Sequence, residues 1–165
     1  MNVHVRRSSG VLVDCGSGHT AVTFYGYTAD ATTGKGGVEQ QHKTWLKHRD
    51  GGNLPLTDII PGAAGGGFVG ETLTQRLSEF IDCLQAVLVA AGGKMLQEHP
   101  PATFMIIGAT GGMRSAIDDG RFDQQQVETV RTAFTNAFQH SMQLIRFEVL
   151  TGSYMLLRAH FSLWF

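Results

Sequence analysis

Asp14-Cys15-Gly16-Ser17-Gly18-His19-Thr20 sets one carboxylate against a short run of glycines and hydroxyls. Apolar residues lead into it (Val11, Leu12, Val13) and out of it (Ala21, Val22, Phe24), so the run reads as a turn between two strands. Glycine admits backbone angles and close ligand approach that a side chain would block. Successive N–H groups in such a turn make a concave anion site, which suits phosphate oxygens. A carboxylate does not bind phosphate directly, so the use of Asp14 there is to hold a metal ion or a water. The turn joins strand to strand and not strand to helix, which argues against a Walker or dinucleotide loop. A second run, Ala109-Thr110-Gly111-Gly112-Met113-Arg114, follows another apolar stretch, Thr103–Gly108. In open α/β sheets ligands lie beyond the carboxyl ends of the strands, and both runs occupy that place. Either turn alone is a common piece of structure; their joint occurrence points to function.

Holding two such turns side by side takes a sheet. Residues 11–15 and 20–27 read as the first two strands, and Gln41–Lys47 as a third, giving an antiparallel meander. Pro55, Pro61 and the Gly65-Gly66-Gly67 run argue against regular structure over 50–67. Over 71–91, Leu73, Leu77, Phe80, Ile81, Leu84, Val87, Leu88 and Ala91 recur at helical steps and predict an amphipathic helix, with Gly92-Gly93 as its end. Thr103–Gly108 has the continuous apolar character of a buried central strand. Val127, Val130, Phe134, Phe138 and Met142 predict a second helix over 124–142, and Leu144–Leu150 a fifth strand. The order β-β-β-α-β-α-β, with right-handed crossovers, makes an α/β fold: a mixed five-stranded sheet with helices on its faces.

The bulk properties exclude some partners. A formal charge of −1 and 16% charged residues give no electrostatic case for nucleic acid or an anionic membrane. No run approaches the ~20 apolar residues of a membrane span, and Arg6-Arg7 are followed by an apolar stretch broken at once by Asp14 and Gly16, so no signal peptide is visible. At 165 residues the chain suits one domain, burying roughly 70% of its unfolded surface. The 21 glycines cluster in turns. Cys15 and Cys83 read as buried free thiols, not a disulfide framework.

The residues also resemble a family. Asp14–Thr20 is similar to the first phosphate loop of the apyrases, the nucleoside tri- and diphosphate diphosphohydrolases, and Ile107–Arg114 to their third signature. Pro61-Gly62 and Phe68 loosely resemble the second, with Ala63-Ala64-Gly65-Gly66-Gly67 where a serine-rich stretch is usual. The resemblance covers about residues 11–152 and implies the N-terminal lobe of the actin-like ATPase superfamily, a ribonuclease H-like fold. It implies a substrate, a nucleoside di- or triphosphate, with phosphate contacts at Gly16, Ser17, Gly18, His19 and Thr20 and at Ala109 and Gly111. It further implies that Asp14 orients a hydrated Mg²⁺ or Ca²⁺, that Thr110 positions the attacking water, and that Arg114 supports the loop. A solvent-facing His19 is favoured over a phosphate-facing one. The family's compartment is commonly the secretory-pathway lumen or the exterior. Exopolyphosphatases share the general form of the signatures and stand as the alternative.

The chain departs from the family at its end. Leu150-Thr151-Gly152 matches the start of a fourth signature, but the glutamate that serves there as general base does not follow. Glu148 lies upstream in the strand and is a poor substitute, and Asp118 and Asp119 read as a solvated turn. The second lobe of the cleft is not in the sequence, and residues 153–165 form an atypical apolar tail. The expectation is a truncated lobe with impaired or no activity alone. A non-catalytic interaction module, making contacts through Tyr154–Phe165 in place of the missing lobe or in an oligomer, is the reading from another class.

Overall fold

The computed structural model describes residues 5–30, 33, 35–61, 63, 68–95 and 102–150. Strands β1 (Val5–Cys15), β2 (Thr20–Asp30) and β3 (Gly36–Trp45) form a meander, followed by a 3-10 turn at Leu56–Ile59. Helix α1 (Leu73–Met95) leads to β4 (Ala102–Ala109), then α2 (Gly111–Asp118), α3 (Gln124–Phe138) and β5 (Leu144–Val149). The strands lie in the order β3-β2-β1-β4-β5. β1 pairs antiparallel with β2 and parallel with β4, which in turn pairs parallel with β5. This is the mixed five-stranded α/β sheet that the residue pattern predicts.

One sheet face carries most of the core. Val11, Val13 and Cys15 of β1, Val22 and Phe24 of β2, and Met105, Ile107 and Ala109 of β4 pack with Leu77, Phe80 and Leu84 of α1 and Val127, Val130 and Phe134 of α3. Phe134 lies edge-on to Phe80 and stacks on Phe147, with centroids 6.0 and 5.6 Å away, tying α3 to both α1 and β5. On the other face Leu12 and Ile106 form a small cluster with Tyr25, Phe104 and Leu150. The core residues of the described helices gather in one cluster on this face of the sheet.

Local chemistry sets the helix starts. Thr72 Oγ1 accepts from Gln75 N while Gln75 Oε1 accepts from Thr72 N, a reciprocal capping box that opens α1. Asp123 and Gln126 repeat it at α3. α1 continues through Gly92-Gly93 to Met95, so the glycines lower helix propensity by about 1 kcal/mol each without ending the helix. α3 ends at Phe138, four residues before the predicted end, where Ser141 N and Met142 N both donate to Phe138 O. The third strand runs from Gly36 to Trp45, beginning five residues before the expected 41, and every described side chain along it is exposed or half-buried. Its pairing with β2 slips by one residue between Phe24 and Tyr25, leaving Gln41 as a bulge. Two elements escaped the residue pattern: α2, and the 3-10 turn inside the stretch read as irregular.

Phe134→Ala is expected to destabilise the chain by about 3–5 kcal/mol, the range for truncating a fully buried aromatic side chain. A urea titration followed by circular dichroism checks it. A loss under 1 kcal/mol would mean that α3 is not held through this ring.

Candidate functional site

The sheet register brings the two glycine-rich runs together. β1 and β4 run parallel with Asp14 opposite Gly108 and Cys15 opposite Ala109, so both strands end at one level. Thr110 then closes the gap: its N–H donates to Cys15 O at 3.0 Å and its Oγ1 donates to the same oxygen at 3.1 Å. Beyond that bridge the loops touch. A Cβ at Gly112 would lie 2.9 Å from Ser17 Cα, 3.0 Å from Ser17 Cβ and 2.7 Å from Thr57 Cγ2. Only glycine fits there, because no larger residue admits so close an approach. At Gly18 and Gly111, by contrast, a Cβ would meet nothing within 4 Å.

The notch so formed is rich in unspent backbone donors. In the first loop Gly16 N donates to His19 O at 2.9 Å, while among the described residues the N–H groups of Ser17, Gly18 and His19 make no hydrogen bond. On the other side α2 begins at Gly111, and its first turn leaves the N–H groups of Gly111, Gly112 and Met113 without a partner among the described residues. The Thr110 side chain does not cap them, being committed to Cys15. Helix N-termini favour negative charge through these donors and the aligned peptide dipoles. Arg114, one turn into α2, reaches Leu150 O at 3.4 Å, and Leu150 N donates to Ala109 O at 2.8 Å. The end of β5 is thereby tied to the same corner.

The predicted residues divide by placement. Ser17, Gly18 and His19 are exposed at the surface of the loop, and Gly16, Thr110 and Gly111 are half-buried. Ala109 is fully buried as the last residue of β4. Thr20 is fully buried, with its side chain on the same strand face as Val22 and Phe24. Among the described residues the polar neighbour of its Oγ1 is the Cys15 thiol.

Asp14 emerges on the opposite sheet face from Val13 and Cys15, near the carboxyl end of β1, and is 7% exposed. The register adds a residue that sequence alone ranks low: Glu148 is opposite Gly108 on β4, which is itself opposite Asp14. Asp14 and Glu148 thus flank a residue without a side chain, two strands apart on one face. Glu148 pairs with Arg146. Asp118 ends α2 and Asp119 caps it; both are exposed, as expected of a solvated turn. Among the described residues no three His, Cys, Asp or Glu side chains gather as a metal cage. A donor set of one carboxylate suits a cation that keeps its waters and takes its other ligands from a substrate.

Further residues hold the notch without being visible as site residues in the sequence. Thr57 lies in the 3-10 turn against Gly112. His48 Nε2 and Asp58 Oδ2 meet at 3.1 Å, both nearly buried, with Phe68 edge-on to the imidazole. Arg76 donates to Asp58 O and Ile60 O, each at 3.1 Å, and to Gly70 O at 2.8 Å. These long-range pairs have no signature at fixed spacing. Gly62, residues 64–67, and the chain from Thr151 onward, including the missing-glutamate position and the apolar tail, lie outside the described residues.

Cys15 is no nucleophile: complete burial, and then the neighbouring Asp14 charge, push its thiol well above the ordinary range. Both cysteines are free, Cys15 buried and Cys83 half-buried.

No protein-family model matches the chain, and no curated protein does. Among solved structures it is similar to an exopolyphosphatase-like protein at 14% identity and TM-score 0.44, over 88% of this chain and 33% of the other. It is similar also to a nucleoside triphosphate hydrolase from Neospora caninum (14%, TM-score 0.43, 88% and 29%). A third is an exopolyphosphatase from Cytophaga hutchinsonii (13%, TM-score 0.37, 87% and 34%). The chain spans about a third of the length of these proteins. The likeness extends to both kinds of protein and does not single out the apyrases. No described helix is long and apolar enough to cross a membrane.

Two outcomes check this geometry. Gly112→Ala is expected to destabilise the chain by about 1–3 kcal/mol, since Ser17 or Thr57 must move. Gly111→Ala, in open space one residue earlier, is expected to stabilise it by up to about 1 kcal/mol through helix propensity; equal effects in urea titrations would contradict the loop contact. Ellman's reagent at pH 8 is expected to leave Cys15 unmodified until the chain is unfolded, with Cys83 as the native thiol that reacts.

Proposed function

We propose that the notch between the Asp14–Thr20 and Ala109–Arg114 loops holds the terminal phosphate of a phosphoanhydride, and that the chain is the phosphate-binding lobe of a phosphohydrolase acting on nucleoside di- or triphosphates. One observation carries the reading: Gly112 meets Ser17 with unspent N–H groups on either side of the contact. A phosphate oxygen accepts hydrogen bonds and donates none, and this is a surface of donors.

The roles follow from which atoms are already engaged. Ser17, Gly18 and His19 would bind through backbone N–H groups, as would Gly111 and Gly112, while Ala109 supplies the strand end that aims the loop. Thr110 gives its proton to Cys15 O, so its oxygen keeps lone pairs that can accept from a water and fix that water's direction. In the reaction the water oxygen bonds to phosphorus as the P–O anhydride bond breaks, and positioning with charge neutralisation supplies most of the rate. Asp14 would hold a hydrated Mg²⁺ or Ca²⁺, whose contribution is to neutralise phosphate charge. Arg114 braces the corner through Leu150 O. The water's proton needs an acceptor, and the described carboxylates near the sheet end are engaged, Glu148 with Arg146 and Asp58 with His48. Binding and positioning are therefore the functions assigned to this chain, with little turnover of its own.

Calorimetric titration of the chain with ADP and with inorganic triphosphate, each with Mg²⁺ in excess, tests the reading. Binding is expected, and Asp14→Asn is expected to weaken it at least tenfold in Mg²⁺ but not in chelator. No binding of either compound would refute the site. Phosphate release from ADP at an ordinary enzyme rate of about 10 s⁻¹, abolished by the same substitution, would instead refute the assignment of low turnover.

A further inference from the structure

The 3-10 turn is fixed more firmly than its length requires. Leu56 and Ile59 are buried in the core, Asp58 is tied to His48, and Arg76 clamps the carbonyls of Asp58 and Ile60. The half-buried side chain left by these anchors is Thr57. Its methyl carbon would lie 2.7 Å from a Cβ at Gly112, so it stands on the helix turn whose N–H groups are unspent. Ser17 touches the same point from the other side. Thr57 O accepts from Ile60 N, yet among the described residues Thr57 Oγ1 makes no hydrogen bond.

The state of the neighbouring hydroxyls gives that free group its meaning. Thr110 has committed its proton to a carbonyl, and Thr20 is turned into the core. Neither can donate to an anion in the notch. Ser17 and Thr57 are the hydroxyls beside Gly112 whose protons are uncommitted.

We infer that Thr57 is a binding residue of the notch: its hydroxyl donates to a phosphate oxygen held over Gly112, opposite Ser17. The inference rests on the phosphate reading above and adds a third wall to a site otherwise built from two loops. The 3-10 turn then serves as a rigid mount, with His48, Asp58 and Arg76 as positioning residues that act through it.

Thr57→Val keeps the shape and the methyl contact and removes the hydroxyl; Thr57→Ser keeps the hydroxyl and removes the methyl. Both are titrated with inorganic triphosphate and with ADP in Mg²⁺, and their melting temperatures are measured without ligand. The expected result is about tenfold weaker binding for Thr57→Val at an unchanged melting temperature, and affinity within about twofold of the natural chain for Thr57→Ser. Equal binding by Thr57→Val and the natural chain overturns the role of Thr57 and leaves the two-loop site standing. Equal losses in both variants overturn it too, because packing and not hydrogen bonding would be responsible. If the natural chain binds neither compound, the phosphate reading fails and this inference fails with it.

Discussion

A single carbonyl oxygen organises this molecule. Cys15 O receives both the backbone N–H and the hydroxyl of Thr110, and through it the end of β1 is locked to the end of β4. Take that oxygen away and the glycine-rich turns become ordinary loops on neighbouring strands. With it, Gly112 is pressed to within a methyl group's width of Ser17, and the first turn of α2 faces the first loop. The bridge also decides the chemistry of Thr110, which becomes an acceptor because its proton is already placed. One bond pattern thus sets geometry and hydrogen-bond polarity together.

The sheet was largely legible because its signals are local. The apolar residues of Val11–Val13 and of Ala21, Val22 and Phe24, the continuous run before Gly108 and the helical spacing of Leu77, Phe80, Leu84 and Val130, Phe134, Phe138 each lie within a short stretch of chain. The third strand was misplaced because Gly36–Gln40 has no buried side to leave a pattern. α2 was missed for the opposite reason. Its buried residues, Met113 and Ala116, fill little more than two turns, too few to establish a period. Gly92-Gly93 misled because glycine weakens a helix without forbidding it, while Ala91 and the turns before it remain packed.

The site was legible in part. Glycines and hydroxyls at Asp14–Thr20 and Ala109–Arg114 announce close backbone approach, and the structure brings them together. Side-chain direction was not announced. Thr20 and Ser17 read alike in a polar turn, yet strand pleating sends Thr20 into the core and leaves Ser17 at the surface. Thr57, Asp58, His48 and Arg76 were silent because they meet only through tertiary packing, across separations of 10 and 18 residues for the His48 and Arg76 contacts with Asp58. The row of Asp14, Gly108 and Glu148 likewise exists only once the strands are in register.

The parallel pairing of β1 with β4 has a consequence for how the chain reaches its folded state. The meander closes through short turns, but the Thr110–Cys15 bridge spans 95 residues. Loop-closure entropy must be met before such a contact returns any stabilisation, and non-local pairings of this kind slow folding relative to local ones. The hairpins and α1 are the elements that can form ahead of it. The notch is then the product of one of the longest closures in the chain, and it forms only when β4 joins β1.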